Sequence, residues 1–367
     1  MRLGLVVNPF AGLGGAVGLK GTDGPDVVAE ALRRGAEPQA GPRARRALAR
    51  LAALRPGSAL VAAPGPLGAD WAEGLELRVA AAGPIGKSGT ARDTRQAVAA
   101  MEADLVLFAG GDGTARDVAA AMPSGAALLG IPCGVKMHSG VFAVSPEAAG
   151  MLLAELLAAP DRILWDDAAE VMDIDERALR AGRIAPRLYG LARVPAVRSR
   201  VQAAKGGPRV DGGAALAGAA REVAREMEPG VLYLIGPGTS AGAVMAALGE
   251  RPTLLGVDAV RDRAVVARDA GAAELWRLAG EGPVRIVLGV SGRQGFLLGR
   301  GNQQIAAPLV ARAGREGLIV LATAEKLAGL AEPRLWVDTG DPELDASLAG
   351  FLRVRTGAGR QTVMRVG

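Results

Sequence analysis

The run Phe108-Ala109-Gly110-Gly111-Asp112-Gly113-Thr114 places one carboxylate among three glycines, directly after the apolar stretch that ends at Ala109. Glycines let a backbone come close to an anion, and the free amides at the start of a helix point toward it. A carboxylate beside bound phosphates is a charge clash unless Asp112 holds Mg2+ or takes a proton from an attacking hydroxyl. Both roles belong to phosphoryl transfer. Had Asp112 been a plain turn residue, Gly110, Gly111 and Gly113 around it would cost backbone entropy without serving a close approach. Thr114-Ala115-Arg116-Asp117 reads as a capping box for the helix that follows.

Other polar loops could share this chemistry. Gly238, Thr239 and Ser240, in Gly236-Pro237-Gly238-Thr239-Ser240, form a second anion cradle with two hydroxyls between a strand-like and a helix-like segment. Lys136, His138 and Ser139 cluster after another apolar run. Lys136 suits a phosphate, whereas a single histidine is more often structural than catalytic. Lys20 could neutralise phosphate or simply be solvated. Alternation sets Asp173 and Asp175 on one face of a strand, where a solvated edge is the other reading. Arg300, Asn302 and Gln303 make a third polar loop after Phe296-Leu297-Leu298. Two near-motifs fail. Ala81 to Ser88 approaches a Walker A loop but lacks its first glycine and contains Pro84, and Gly12-Leu13-Gly14 lacks the rest of a dinucleotide fingerprint.

These loops need elements to hold them. Leu3 to Val7 reads as a buried strand ended by Asn8-Pro9 and a glycine cluster. Helix composition covers 26–34 and 43–54, strands are expected over Leu60 to Ala63 and Leu75 to Ala80, and a helix over Thr90 to Ala103. Asp104 to Ala109 is the clearest strand, and a helix follows from about Thr114 to Met122. This alternation implies a parallel sheet covered by helices. Residues 132–210 carry prolines, acidic clusters and short strand-like runs such as Arg187 to Val194. From 231 onward, strand-like runs at Val231 to Ile235, Thr253 to Val257, Val284 to Val290 and Leu318 to Ala322 alternate with helical ones. A boundary near 135 is expected, dividing a nucleotide-binding α/β domain (1–135) from a mixed α/β substrate-binding domain (136–367).

Length and composition agree. A chain of 367 residues exceeds what one core usually supports. Aromatics are only 3%, so the interior must be Ala, Val and Leu packed through glycines. The net charge of +5 comes from scattered arginines without stacking aromatics, which argues against nucleic acid and suits anionic small molecules. One cysteine and one histidine exclude an internal disulfide and a Cys/His zinc site. With no signal-like or membrane-length apolar run, a soluble cytoplasmic protein is expected, with no membrane partner.

The Gly-Gly-Asp-Gly-Thr run resembles the signature of NAD kinases and their relatives, the diacylglycerol kinases and phosphofructokinases. The segments Asn8 to Asp23, Gly134 to Ala143 and Gly299 to Gln304 resemble the ATP–NAD kinase branch that includes the acetoin-catabolism protein X. The resemblance spans nearly the whole chain. It implies an N-terminal parallel-sheet, Rossmann-like domain and a second domain with β-rich and α/β portions. It also implies transfer of phosphate from ATP or polyphosphate to the adenosine ribose 2′-hydroxyl of NAD, by a homo-oligomer. Mg2+ would be carried on the nucleotide phosphates, with no protein ligand assigned. Asp112 would accept the proton or orient the hydroxyl, and Asn8, Gly14 and Gly15 would line the nucleotide site. Glu170, with Asp173 and Asp175, resembles the acidic position that holds the nucleoside, and Gly238 to Ser240 the Gly-Ser-Thr segment. Arg293 and Ala203 depart from the branch at glycine positions. Two other readings stay open: a kinase of this fold for another small hydroxyl acceptor, and a nucleotide-binding regulator without turnover.

Overall fold

The computed structural model describes residues 1–19, 24–83, 85–86, 88–133, 137, 139–174, 186–196, 212–291, 295–330 and 332–367. The expectations placed on Lys20, Lys136, His138 and Asp175, and the departures at Ala203 and Arg293, lie outside these residues. The chain forms two compact α/β units, Met1–Leu13 with Gly21–Arg198, and Gly14–Lys20 with Ser199–Gly367.

In the first unit the strands are β1 (Leu3–Val7), β2 (Ser58–Ala62), β3 (Leu77–Ala81), β4 (Leu105–Gly110), β5 (Ala127–Pro132), β6 (Leu164–Ile174) and β7 (Pro186–Ala196). The helices are α1 (Pro25–Arg33), α2 (Ala40–Leu54), α3 (Ala91–Met101), α4 (Asp112–Ala121) and α5 (Pro146–Ala158). The sheet runs β3-β2-β1-β4-β5-β7-β6. Its pairings are parallel up to β7, and β6 closes the edge antiparallel. Period-two alternation sorts the core. Leu3, Leu5, Val7, Leu105, Leu107 and Ala109 pack with α2 and α5, while Val6, Val106 and Phe108 face the buried residues of α3 and α4. Ser145 caps α5 by accepting from the Ala148 amide at 3.1 Å, with Pro146 in the first turn.

The expected boundary near 135 falls inside this unit. Residues after 135 add α5, which packs on α2, and β7, whose Arg193 pairs with Ala127 of β5. The change in composition after Ile131 therefore marks a hairpin extending the first sheet.

The second unit contains α6 (Gly212–Glu226), β8 (Leu232–Ile235), α7 (Thr239–Ala247), β9 (Asp258–Arg261), β10 (Ala264–Ala267), α8 (Ala272–Ala279), β11 (Val284–Gly289), β12 (Leu318–Leu321), β13 (Arg334–Leu335), β14 (Gly350–Gly357) and β15 (Arg360–Val366). Its mixed sheet runs β10-β9-β8-β11-β12-β14-β15-β13. Leu216 and Val223 of α6, Met227 just after it, and Val244 and Met245 of α7 pack on Tyr233, Ile235 and Val287. The stretch beginning at Gly14 belongs to this unit, where the Ala272 amide donates to the Ala16 carbonyl at 2.9 Å.

One expected strand is absent: Thr253 to Val257 is a turn leading into β9. A Cβ on Gly256 would lie 1.9 Å from Asp269 Oδ1, so the chain folds tightly there. The Asp258 carboxylate, 1% exposed, accepts from the Thr253 and Asp269 amides at 2.8 and 3.1 Å and fixes the turn.

Candidate active site

Strands β1 and β4 are parallel neighbours, with Val7 opposite Ala109, and the strand order reverses between them. Loops leaving the carboxyl ends at such a point open a crevice. Asn8 follows β1 and ties the two loops together. Its amide donates to the Ala109 carbonyl at 2.9 Å, its Nδ2 donates to Thr114 Oγ1 at 2.9 Å, and its Oδ1 accepts from the Phe10 amide at 3.1 Å. Thr114 is buried, and a Cβ on Gly110 would meet its Cβ at 2.4 Å. The glycine there makes room for the threonine, and the Thr114 hydroxyl receives Asn8.

Asp112 opens α4 after an extended Gly111 and is 4% exposed. Its Oδ1 accepts from the Ser139 amide at 3.0 Å and from Ser139 Oγ at 2.6 Å. Ser139 Oγ also accepts from the Met172 amide at 2.9 Å and lies 2.9 Å from the Met172 carbonyl. One hydroxyl thus couples the carboxylate to the edge strand β6. Next along β6, Asp173 accepts from Arg116 Nη1 at 2.8 Å, and its Oδ2 lies 3.9 Å from where a Cβ on Gly113 would stand. Asp173 therefore stands beside the glycine turn and is bridged to Arg116. Glu170 is exposed, and its carbonyl accepts from the Gly140 amide at 2.9 Å.

Arg116 stands one helical turn after Asp112. Burial pulls its pKa down, but Asp173, Asp117 and Tyr189 together outweigh that and hold it above its ordinary value. The guanidinium carbon lies 5.4 Å from the Tyr189 ring centroid. The capping box read from Thr114 to Asp117 is not formed. The helix starts two residues earlier, at Asp112, and Asp117 is bridged to Arg95 Nη1 at 2.9 Å.

The failed Walker-like run has a different purpose. Asp93 accepts from the Ser88 amide at 2.7 Å, the Ser88 hydroxyl at 2.5 Å and the Gly89 amide at 3.1 Å, fixing the loop before α3. A Cβ on Gly89 would press 2.8 Å from Pro9 Cγ and 2.9 Å from the Phe10 ring, so this loop rests on the turn that follows Asn8.

Two family models match the sequence: the ATP-NAD kinase N-terminal domain over residues 3–161 and the ATP-NAD kinase C-terminal domain over residues 229–366. The chain belongs to the ATP-NAD kinase family. No curated protein and no solved structure gives a significant match. The first ATP-NAD kinase domain thus holds Asn8, Asp112 and Thr114, and Ser139 and Asp173 join them at the same turn. In the unit that carries the second ATP-NAD kinase domain, Gly238 has φ 99° and its amide donates to the Leu254 carbonyl at 2.9 Å, with Thr239 exposed at the head of α7. Gly14 and Gly15 are in this unit too, where their carbonyls accept from the Leu19 and Gly18 amides at 2.8 and 3.3 Å.

The third loop of this ATP-NAD kinase chain braces itself. Asn302, buried, donates to the Leu297 carbonyl at 2.7 Å and accepts from the Gly299 amide at 2.9 Å, and Gln303 donates to the Gly299 carbonyl at 3.0 Å. Arg300 lies 4.1 Å over the Phe296 ring. Among the described residues no group of three or more His, Cys, Asp or Glu side chains could hold a metal ion. The turn carboxylates are nonetheless hard oxygen donors of the kind that meet Mg2+ when phosphates and water complete its shell. Nor, among them, is any helix long and apolar enough to cross a membrane. The sequence reading did not single out Arg116, although an Arg-Asp pair follows Gly-Gly-Asp-Gly-Thr after one alanine.

Proposed function

We propose that this kinase transfers the terminal phosphoryl group of ATP or polyphosphate to the adenosine ribose 2′-hydroxyl of NAD, giving NADP. The observation that carries the reading is Asp112: a buried carboxylate on a glycine turn, aimed by two hydrogen bonds from Ser139, at the carboxyl ends of β1 and β4. In the reaction the 2′-oxygen forms a bond to the terminal phosphorus. The bond from phosphorus to the bridging oxygen breaks, its electron pair leaves with ADP or the shortened polyphosphate, and the hydroxyl proton passes to Asp112. Asn8 keeps the two loops in register, and the α4 amides face the anion. Mg2+ would ride on the donor phosphates with Asp112 the turn carboxylate able to meet it, and it supplies neutralisation of phosphate charge.

Recognition of NAD is assigned to Gly238, Thr239 and Ser240, whose hydroxyls and helix amides suit a pyrophosphate or ribose better than an uncharged polyol. The cytoplasm is the compartment this chemistry implies. Purified protein incubated with Mg2+, ATP or polyphosphate, and NAD should form NADP, followed by an NADP-specific dehydrogenase. Phosphorylation of a polyol with none of NAD would hand the acceptor assignment to the second kinase reading. No phosphoryl transfer to any acceptor would leave a nucleotide-binding regulator.

A further inference from the structure

We propose that Arg116 is a phosphate clamp for the donor, and that Asp173 is the counter-ion it exchanges for the donor's phosphate chain. The inference rests on the kinase reading for the identity of that donor. Arg116 lies four residues after Asp112 on α4, so the two side chains share one face of the helix. Its Nη1 is 2.8 Å from Asp173 Oδ2, the same oxygen that lies 3.9 Å from where a Cβ on Gly113 would stand. The guanidinium therefore points at the glycine turn where the phosphates are expected. It is 40% exposed and Asp173 21%, so solvent and ligand can reach the pair. Tyr189 backs the guanidinium from β7.

Ion pairs that solvent reaches in this way add little to stability, so the exchange is cheap. A polyphosphate offers more charge than one carboxylate and a geometry that a planar guanidinium meets with two parallel bonds. With the ligand absent, Asp173 keeps the fork facing the turn. With it present, Asp173 becomes a competitor. A purely structural pin between α4 and β6 would behave oppositely, because either partner's loss would then damage the turn alike.

The test is titration calorimetry of inorganic triphosphate into wild type, Arg116→Ala, Arg116→Lys, Asp173→Asn and the Arg116→Ala/Asp173→Asn double variant, with thermal melts alongside. Removing the clamp should weaken binding about tenfold or more, and lysine, lacking the fork, should restore only part. Asp173→Asn should tighten binding, and the double variant should bind as weakly as Arg116→Ala. Should the alanine variant fail to fold, the lysine and asparagine variants still decide, since their predicted effects have opposite signs. Wild-type-like binding by Arg116→Lys and Arg116→Ala overturns the clamp. So does weakening by Asp173→Asn. A wild type that makes NADP while its triphosphate affinity ignores Arg116 sinks the clamp and leaves the kinase reading. A wild type that clamps triphosphate through Arg116 but makes no NADP sinks the acceptor assignment and leaves the clamp.

Discussion

Asp112 has its orientation settled before any substrate arrives. Both Ser139 donors reach Oδ1, and an asparagine amide can present an oxygen to the same two donors, so Asp112→Asn should keep the fold and the turn. What it loses is the capacity to take a proton. We expect turnover to fall by about 10² to 10⁴-fold with an unchanged melting temperature, measured by NADP formation and calorimetry. Near-wild-type turnover would remove Asp112 from the chemistry. Thr114 has a framework part as well: its hydroxyl receives Asn8, and its side chain fills the space that Gly110 leaves. The sequence run alone cannot separate these two roles, because it does not show which side chain turns inward.

Among the elements, the loop before α3 depends on one carboxylate. Hydrogen bonding, first from the Ser88 hydroxyl and then from the Ser88, Gly89 and Thr90 amides, outweighs burial and holds Asp93 below the ordinary aspartate value of 3.8. A depressed carboxylate stabilises the fold in its ionised form, so the contribution is complete above that ordinary value and fades as pH falls through the lower folded one. Asp93→Asn should therefore melt lower than wild type at neutral pH, by on the order of 5 °C, and the gap should shrink below pH 3.8. A gap independent of pH would show that ionisation of Asp93 is immaterial. Packing of α2 on α5 relies on a glycine as well, since a Cβ on Gly150 would stand 2.1 Å from the Ala47 carbonyl oxygen. Gly150→Val should cost about 1–3 kcal/mol in denaturant melts while leaving the activity per folded molecule intact. Much at this scale was legible beforehand. Apolar runs ended by Asn8-Pro9 or by Gly110-Gly111 announce strands feeding loops, and the structure has strands there. Thr253 to Val257 was misread because Leu254, Leu255 and Val257 have strand-like side chains, while the turn is imposed by Asp258 and Asp269 from farther along. The Arg116–Asp173 bridge joins positions 57 apart and needs β6 on the sheet edge, a placement that no local pattern encodes.

For the molecule as a whole, the choice of acceptor should be readable in the second unit. Thr239 is exposed and Ser240 partly so at the head of α7. Replacing both with alanine should raise KM for NAD several-fold with kcat nearly kept, the pattern of lost uniform binding. A fall in kcat at unchanged KM would place these hydroxyls in the chemical step instead. Gly238→Val is a poorer probe: its φ of 99° strains any side chain, while a Cβ there meets open space. The second unit is also assembled from two distant stretches of chain, with Ala16 accepting from Ala272. That contact carries a consequence in time. During synthesis the stretch around Ala16 leaves the ribosome about 250 residues before its partner, a wait of roughly 10–50 s at ordinary elongation rates. Through that interval the first unit can complete its sheet while Gly14 to Leu19 has nothing to join. A chain released before residue 272 would leave that stretch permanently without its partner, so the second unit cannot close on its own first residues until that point is made.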